Sequence, residues 1–566
     1  MTAPPTTDDV LAASRALWRR NWPAGIPREP SYPFGEIPLG DYLRRWAALQ
    51  PDKAAVIFYG TVLTYAGMDR LSDRFAALLA RLGVGAGDRV ALFLPNCPQF
   101  HVAFFGILKC GAVHVPVNPM FKEAELAYEL NDTGAAVLVA QDQLMDLVRA
   151  ARPGVPALRH VLVTSLAEML PASPSLPVPP AAAQPRLACP DAADLMPALE
   201  AETGAPPTVR PDLDAPAALN YTGGTTGLPK GCVHTQRDML YTAATTCAVT
   251  GPATQDDVFL NFHPIFWIAG ENFGLLFPVF LGAVVVQFAR WDPLAFMQAV
   301  QLYRVTAATL LVDNAVAIMD QPEVGRHDLR SLRRTRVSSF VKKLNAEYRR
   351  RWLALTGTVM VEAAWGMTET HTCDTFTTGM QEGGRDLAQP IFVGLPVPGT
   401  EFRICGFDTG ATLPLGQEGE IVVRSPSQLK AYWNRPADTA AALRDGWLHT
   451  GDIGMLDGDG CLHFLGRRKE MLKVNGMSVF PAEIEALLGQ HPGVTGSGVI
   501  GRADEARGER PVAFVTVSDP ALTADALQAW CRGAMAGYKV PEIRIVAALP
   551  MTATGKVRKE ELALLA

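Results

Sequence analysis

The chain has 566 residues, of which 48% are hydrophobic and 19% charged, and its formal net charge is −6. This length exceeds what one hydrophobic core organises, so we expect about three or four domains or subdomains of a globular protein. The acidic balance argues against a nucleic-acid-binding surface, and nine cysteines without a Cys-x-x-Cys pair argue against a zinc site or a disulfide framework.

The apolar runs predict no membrane insertion. The N-terminal MTAPPTTDDV lacks the basic and apolar segments of a signal peptide. The longest apolar stretch, residues 273–289, is interrupted by Pro278 and Gly282, which predicts a buried helix that turns into a strand and not a transmembrane segment. Because unpaired thiols are typical of reducing compartments, we expect a cytoplasmic protein.

Between residues 40 and 165, short apolar strands alternate with amphipathic helices. Helical runs at 68–82, 99–109 and 122–131 are separated by the strand-like segments RVALFLP, AVHVPVN and AAVLVA. This alternation predicts parallel sheets covered by helices. Residues 170–210 are rich in proline and alanine without periodicity, and we interpret them as a surface excursion.

A Gly/Thr-rich run, YTGGTTGLPKG at 221–231, predicts a phosphate-binding loop. Glycines allow backbone N–H groups to approach a ligand closely, threonine hydroxyls add donors, and the lysine adds positive charge. The predicted cradle consists of Thr222, Gly223, Gly224, Thr225, Thr226, Gly227 and Lys230. A Walker A loop is excluded, because Lys230 follows Pro229 and precedes Gly231. A flexible linker is the ordinary alternative, but linkers lack a fixed basic residue.

Three later segments contain further candidate residues. AAWGMTETH at 363–371 carries Thr368 and Glu369, WLHTGDIG at 447–454 predicts an exposed turn with Asp452, and PMTATGKVRK at 550–559 presents Lys556. Short strands between 398 and 466 predict a β-rich subdomain, and the charged GRRKE that follows marks a domain boundary. Each candidate residue alone has an ordinary structural interpretation, so only their combination points to a site.

In order and spacing, these motifs resemble the adenylate-forming superfamily, which comprises acyl-CoA synthetases, carrier-protein-loading adenylation domains and beetle luciferases. The resemblance extends from LTYAGM at 63–68 to TGKVRK at 554–559. It implies an α/β fold: an N-terminal domain (1–466) of two parallel-type α/β sheet subdomains plus a β-rich subdomain, and a small mobile α+β C-terminal domain (467–566) with a hinge near 467–470. It also implies an acyl-CoA synthetase that uses ATP, Mg²⁺ and coenzyme A.

The resemblance implies roles for the nucleotide-side residues. The loop from Thr222 to Lys230 holds the β- and γ-phosphates, Thr368 contacts the α-phosphate, and Glu369 binds Mg²⁺, which prefers hard oxygen ligands. Trp365, with Gly366, is implied to pack against adenine, and Asp452, with Arg467, to bind the ribose. Lys556 is implied to bridge the reacting carboxylate and the α-phosphate. For the second half-reaction, the resemblance implies that Lys469 is the hinge. It also implies that Lys473, Gly476 and Ser478 lie beside coenzyme A and the acyl adenylate.

The substrate side departs from the family pattern. Trp267 stands where relatives often have histidine, and Phe340 lies in SFVKKL at 339–344, where relatives have a small-residue turn. Lys342 or Lys343 could contact a polar group of the substrate or face solvent. The first expectation is a fatty acid of medium or long chain, with an aryl or cyclic acid, or transfer to a separate carrier protein, as alternatives. The expected partners are the small-molecule acid, ATP and coenzyme A; the oligomeric state stays open, with a homodimer as one option.

Overall fold

The first part of the chain alternates strands with helices, as the sequence predicts. The computed structural model describes residues 6–208, 211–222, 228–251, 253–363, 365–388, 392–475, 477–504, 507–552 and 555–565. The first elements are α1 (Thr7–Arg20), α2 (Leu39–Leu49), β1 (Ala54–Phe58), β2 (Thr61–Thr64), α3 (Tyr65–Arg81), β3 (Arg89–Phe93), α4 (Pro98–Lys109), β4 (Val113–Pro116), α5 (Glu123–Thr133), β5 (Val137–Gln141), α6 (Met145–Ala151), β6 (His160–Thr164), β7 (Ala193–Asp194) and α7 (Leu195–Ala201). Helix α4 is buried along its whole length, which makes it a core helix and not a surface one.

The alternation continues through the middle of the chain. Its elements are β8 (Pro216–Tyr221), β9 (Gly231–Thr235), α8 (Gln236–Val249), β10 (Val258–Asn261), α9 (Ile268–Glu271), α10 (Phe277–Leu281), β11 (Val284–Gln287), α11 (Pro293–Tyr303), β12 (Ala307–Leu311), α12 (Val312–Met319), β13 (Arg334–Ser338), α13 (Ala346–Thr356), β14 (Met360–Glu362), β15 (Thr375–Phe376) and α14 (Arg385–Ala388). The apolar stretch at 273–289 folds as a π-helical turn, α10 and β11. The predicted buried helix that turns into a strand is therefore confirmed.

Antiparallel strands dominate the segment that precedes the C-terminal part. Its elements are β16 (Phe392–Pro396), β17 (Glu401–Cys405), β18 (Gly419–Arg424), α15 (Pro436–Ala442), β19 (Leu443–Arg444), β20 (Trp447–Leu456) and β21 (Leu462–Arg467). The C-terminal elements are β22 (Leu472–Val474), β23 (Met477–Val479), α16 (Pro481–Leu488), β24 (Val494–Asp504), β25 (Gly508–Val517), α17 (Ala524–Ala534), β26 (Glu542–Ile545) and α18 (Lys559–Leu565).

The strands form four sheets. Two seven-stranded sheets, ordered β14-β13-β12-β10-β11-β1-β2 and β7-β6-β5-β3-β4-β8-β9, are parallel except for the pairs β1–β2 and β8–β9. The third sheet joins β15 to β21 antiparallel, and the fourth collects β22 to β26. This arrangement confirms the predicted α/β architecture with a β-rich part and a small C-terminal sheet. The carboxyl ends of β12 and β13, with Leu311 opposite Ser338, point toward the candidate site.

Burial follows the predicted pattern. Central strands such as β5 are buried at every position, as expected for a parallel sheet covered on both faces. All nine cysteines are buried and none forms a disulfide. Among the described residues, no helix is both long and apolar enough to cross a membrane.

Candidate active site

The predicted phosphate loop lies at the open end of a β-hairpin. Strands β8 and β9 pair antiparallel on either side of it, and the Thr222 amide donates to the Lys230 carbonyl at 3.0 Å. The cradle positions Gly223, Gly224, Thr225, Thr226 and Gly227 lie outside the described residues. Lys230 Nζ pairs with Asp438 Oδ1 at 2.5 Å and lies 5.2 Å from the ring centroid of Tyr432. The β-rich part of the chain therefore orients the lysine beside the loop.

Asp452 does not lie in an exposed turn, and that prediction is wrong. It lies within β20 and is 5% exposed, because the strand continues through WLHTGDIG and pairs Asp452 with Arg467 of β21. Gly451 has φ +71°, and the ladder shifts register between Ile453 and Gly454, so the strand is irregular at this point. Irregular strands re-aim a side chain, here toward the predicted nucleotide site.

The Asp452 carboxylate connects the predicted adenine and ribose residues. Its Oδ2 accepts a hydrogen bond from Trp365 Nε1 at 3.1 Å, and its Oδ1 lies 3.4 Å from Arg467 Nε. Burial raises the pKa of Asp452 to about 6, against the opposing effects of Arg467, the Trp365 hydrogen bond and Lys556. The structure thus brings together four predicted site residues, Trp365, Asp452, Arg467 and Lys556, from four separate segments of the sequence.

Thr368 and Glu369 lie on a short turn that several backbone contacts hold in place. The Thr368 carbonyl is 2.7 Å from His234 Nε2, and the Glu369 carbonyl accepts from the Leu429 amide at 2.6 Å. Glu369 Oε1 accepts from the Tyr432 hydroxyl at 2.9 Å. Among the described residues, Glu369 Oε2 has no hydrogen-bond partner, so it is available to a ligand.

The turn that carries Glu369 has an uncommon backbone. His371, Thr372 and Cys373 follow each other with φ of 60°, 61° and 62°, a conformation that non-glycine residues rarely adopt. Gly366 is required by the same turn, because a Cβ there would lie 2.4 Å from the Cys373 amide nitrogen. Strained backbone persists only where the surroundings enforce it, which is typical of functional sites.

The residues present fit a magnesium ion. Mg²⁺ is usually bound by one or two carboxylates together with phosphate oxygens and water, and no described residue donates a hydrogen bond to Glu369 Oε2. Within the described ranges, no group of three or more His, Cys, Asp or Glu side chains is arranged to hold a metal ion. Glu369 as a magnesium ligand remains a prediction.

A buried polar cluster behind this turn was not predicted from the sequence. Glu271 is 0% exposed, and its Oε2 accepts from Asn220 Nδ2 at 2.9 Å. Its two oxygens lie 3.7 Å from His371 Nε2 and 3.7 Å from His114 Nε2, respectively. Glu271 therefore links the strand that enters the phosphate loop to the turn that carries Glu369.

The charge state of this cluster follows from its burial and its hydrogen bonds. Burial by itself raises the pKa of Glu271, but the His371 contact, His114 and the Asn220 hydrogen bond together hold it below its ordinary value. Burial lowers the pKa of His114 to about 4 and also lowers the pKa of His371. At neutral pH, Glu271 is therefore ionised between neutral imidazoles. The only signal in the sequence was the isolated polar residues in AVHVPVN and WIAGENFG.

Lys556 lies where the C-terminal part meets the ends of β12 and β13. Its Nζ is 5.1 Å from the ring centroid of Phe340, and the adjacent Gly555 packs so tightly that a Cβ would lie 2.5 Å from Leu311 Cδ1. Although its side chain retains exposed surface, the crowded junction and the charge of Arg467 lower its pKa. Lys556 is thus placed on the same side of the molecule as Asp452.

The 339–344 turn does not direct its lysines toward a substrate or toward solvent. Lys342 Nζ donates to the Thr495 carbonyl at 2.9 Å, which links the turn to the C-terminal sheet. Lys343 Nζ donates to the carbonyls of Ser339 and Phe340, each at 3.0 Å. Both alternatives predicted for these lysines are therefore wrong, because the turn serves as the docking surface of the C-terminal part.

The remaining predicted residues are spread around the junction. Lys469 lies in a short turn between β21 and β22, and Lys473 and Ser478 face each other across the β22–β23 hairpin. The intervening Gly476 is outside the described residues. Trp267 is half-buried at the start of α9, and its ring centroid lies 5.3 Å from that of Phe266. None of these geometries assigns a role.

Comparisons with known proteins identify the family. Residues 43–433 match the AMP-binding enzyme model, and residues 483–556 match the AMP-binding enzyme C-terminal domain. The chain is 32% identical to a long-chain-fatty-acid–CoA ligase of Escherichia coli O157:H7, over 97% of this chain and 98% of that protein. It is 33% identical to 4-coumarate–CoA ligase 2 of Oryza sativa subsp. japonica, over 93% and 92% of the two chains.

A solved structure agrees with these relatives. The crystal structure of the anthranilate CoA ligase AuaEII in complex with anthranoyl-AMP matches with a TM-score of 0.80 and 27% identity, over 95% of this chain and 98% of that one. The names of the relatives agree on ligation of an acid to coenzyme A and differ in the acid. The chain therefore belongs to the adenylate-forming superfamily, and within it to the AMP-forming acyl-CoA synthetase branch.

Proposed function

We propose that the protein activates a medium- or long-chain fatty acid with ATP and Mg²⁺ to an acyl adenylate, and then transfers the acyl group to coenzyme A. The observation that carries the proposal is the convergence of Trp365, Asp452, Arg467 and Lys556 on one junction. An aryl acid is the second candidate, supported by the similarity to the protein named 4-coumarate–CoA ligase 2.

In the first half-reaction, two anions approach each other, so the site has to supply positive charge and oriented donors. Lys556 stabilises the charge that develops between the attacking carboxylate and the α-phosphate, and the Thr368 hydroxyl donates to that phosphate. The loop that ends at Lys230 holds the pyrophosphate that leaves. Glu369 would hold a Mg²⁺ ion, which would neutralise phosphate charge. Asp452 accepts the ribose hydroxyls and Arg467 fixes its orientation.

In the second half-reaction, the C-terminal domain takes a different position. We assign residues 1–466 to the N-terminal domain and 467–566 to the C-terminal domain, with Lys469 as the hinge in the short turn after β21. Rotation about this hinge withdraws Lys556 and brings the β22–β23 hairpin, with Lys473, Gly476 and Ser478, toward the adenylate. Domain movements of this kind let one small domain serve two chemical steps.

Measuring acid-dependent pyrophosphate release tests the proposal. A panel of straight-chain fatty acids and aryl acids is assayed with ATP and Mg²⁺, with and without coenzyme A, and thioester formation is followed in parallel. We expect pyrophosphate release with medium- or long-chain fatty acids, and a thioester only with coenzyme A. Release without any thioester contradicts transfer to coenzyme A, and a preference for aryl acids contradicts the assigned substrate.

The assigned role of Lys556 predicts a separation of the two half-reactions. Lys556→Ala should lose most adenylate formation and keep thioester formation from supplied acyl-AMP, because the lysine is withdrawn in the second conformation. Equal loss of both activities is incompatible with two positions of the C-terminal domain.

A further inference from the structure

A small cavity lies between helix α8 and the strands β10, β12 and β13, along the amino-terminal half of β12 and β13. Its walls are mostly apolar, with Cys247, Phe259, Phe273 and Phe277 among the side chains that line it. Two arginines of β13, Arg334 and Arg336, also line this cavity. They lie on the same face of the strand, because alternate residues of a strand point to the same side. A cavity intended only for an alkyl chain has no need of cationic walls.

The charge of the first arginine is already neutralised. Arg334 forms an ion pair with Asp257, which also lies 3.0 Å from Arg333 and accepts from the Thr306 hydroxyl at 2.7 Å. Asp257 is 1% exposed, so this is a buried structural ion pair at the amino-terminal end of the strand. The ion pair with Asp257 therefore accounts for the position of Arg334 without a ligand.

The charge of the second arginine has no such partner. Arg336 is half-buried, and no carboxylate of the described residues lies within 4.0 Å of its guanidinium, nor does any of them accept a hydrogen bond from it. Its contact is the Phe273 ring, whose centroid lies 5.8 Å from Cζ. An aromatic face orients a guanidinium but leaves its planar N–H donors unused. These donors match the geometry of a carboxylate, which they bind in a bidentate manner.

The strand register places Arg336 relative to the reacting end. Thr309 is opposite Arg336, and two residues further on Leu311 is opposite Ser338. Leu311 contacts the Gly555 turn that presents Lys556. Two residues of extended strand span about 7 Å, which corresponds to roughly six single bonds of an extended chain. A chain that starts at Lys556 and runs down this face reaches the guanidinium after that distance.

We propose that the acid activated by this protein carries a second carboxylate, and that Arg336 binds it as the specificity-determining residue. The preferred substrate is then an α,ω-dicarboxylic acid with an apolar chain between the two groups, one carboxylate at Lys556 and the other at Arg336. This inference rests on the proposed function, because it concerns the acyl part of the same site. A charged hydrogen-bonded pair that forms in a half-buried cavity corresponds to a selectivity of about 10- to 100-fold.

The test compares acids that differ only at the distal end. Hexanedioic, octanedioic and decanedioic acids are assayed against their monomethyl esters and against the monocarboxylic acids of equal length, with kcat/KM for pyrophosphate release as the measured quantity. We expect the free diacid to exceed its monomethyl ester by about 10- to 100-fold, with the optimal length between those of hexanedioic and octanedioic acid. Arg336→Met should reverse the ratio by lowering the diacid rate and raising the ester rate.

Two variants control for changes in folding and overall charge. Arg336→Lys keeps the charge and loses the bidentate geometry, so it should retain part of the diacid preference. Arg350→Met removes one positive charge from the exposed face of α13, where Glu347 is the ion-pair partner of Arg350 among the described residues, and should leave the ratio unchanged.

The outcomes separate this inference from the proposed function. If the wild-type protein uses monocarboxylic acids and esters as well as diacids, the inference is wrong even where Arg336→Met does not fold, while the ligase assignment stands. A diacid preference that Arg336→Met leaves intact also overturns it. If no acid of either panel supports pyrophosphate release, the proposed function itself fails.

Discussion

The contact between Lys556 and Phe340 leads to a prediction about one half-reaction only. Phe340→Leu removes the aromatic face beneath the ammonium group and keeps an apolar side chain of similar size. The Nζ atom lies 5.1 Å from the ring centroid, within the range of a cation–π interaction, and Phe340 is 37% exposed. An exposed pair of this kind contributes about 0.5–1 kcal/mol. If that energy positions Lys556 for catalysis, adenylate formation should slow by roughly 2- to 5-fold.

The assay measures the two half-reactions separately. Acid-dependent pyrophosphate release reports adenylation, and thioester formation from supplied acyl-AMP reports the second step. We expect Phe340→Leu to slow the first and spare the second, and Phe340→Trp to retain the wild-type rate. The matched control is Phe34→Leu, because Phe34 forms a comparable contact with Arg45, 5.3 Å away, far from the site.

A double-mutant cycle decides whether the effect passes through the lysine. In a Lys556→Met background, Phe340→Leu should have no further effect on adenylation, because the interaction is already absent. The reasoning is refuted if Phe340→Leu slows both half-reactions equally, or if its effect persists unchanged in that background.

Two further predictions concern buried carboxylates. Since the pKa of Asp452 is raised to about 6, the free energy of unfolding should fall as pH rises from about 4 to about 6. Asp452→Asn should remove this dependence and raise the free energy of unfolding by up to about 3 kcal/mol above pH 6. The variant should also bind ATP more weakly. Urea titrations across this pH range check the first part, and a flat difference between the two proteins would contradict it. Glu271→Gln should lower the free energy of unfolding by up to about 1.5–3 kcal/mol, because the hydrogen bond donated by Asn220 loses its charged acceptor. The matched control is Glu129→Gln, a nearly neutral change, since burial raises the pKa of Glu129 well above its ordinary value and the group is already uncharged; equal losses in both variants would refute the assigned charge of Glu271.

Local patterns in the sequence were sufficient for the elements but not for their long-range contacts. The helices and strands between residues 65 and 141 follow directly from periodicity, which is a short-range property. The burial of Asp452 depends on antiparallel pairing with Arg467, and a turn motif alone does not reveal that partner. Likewise, His114, Glu271 and His371 come from separate motifs and meet only in the folded chain.

The same distinction applies to the substrate side. Phe273, which follows Trp267 in the sequence by six residues, lines the cavity. The arginine beside it was not recognised, because alternation along β13 predicts which residues share a face and not which face borders a cavity. The roles of Lys342 and Lys343 were misjudged for a related reason, since their contacts depend on the position of the C-terminal part.

The 339–344 turn lies between the strand that borders the cavity and the C-terminal sheet, which affects attempts to change the acid specificity of the protein. On one side the turn follows the strand that borders the acyl cavity, and on the other it contacts the C-terminal sheet through Lys342 and Thr495. If the C-terminal part takes the two positions proposed above, a substitution that reshapes the turn to admit a new acid also shifts the balance between those positions. Directed evolution at this turn should yield variants whose altered selectivity is inseparable from altered turnover, whereas changes at Arg336, deeper on the strand, should modify selectivity alone.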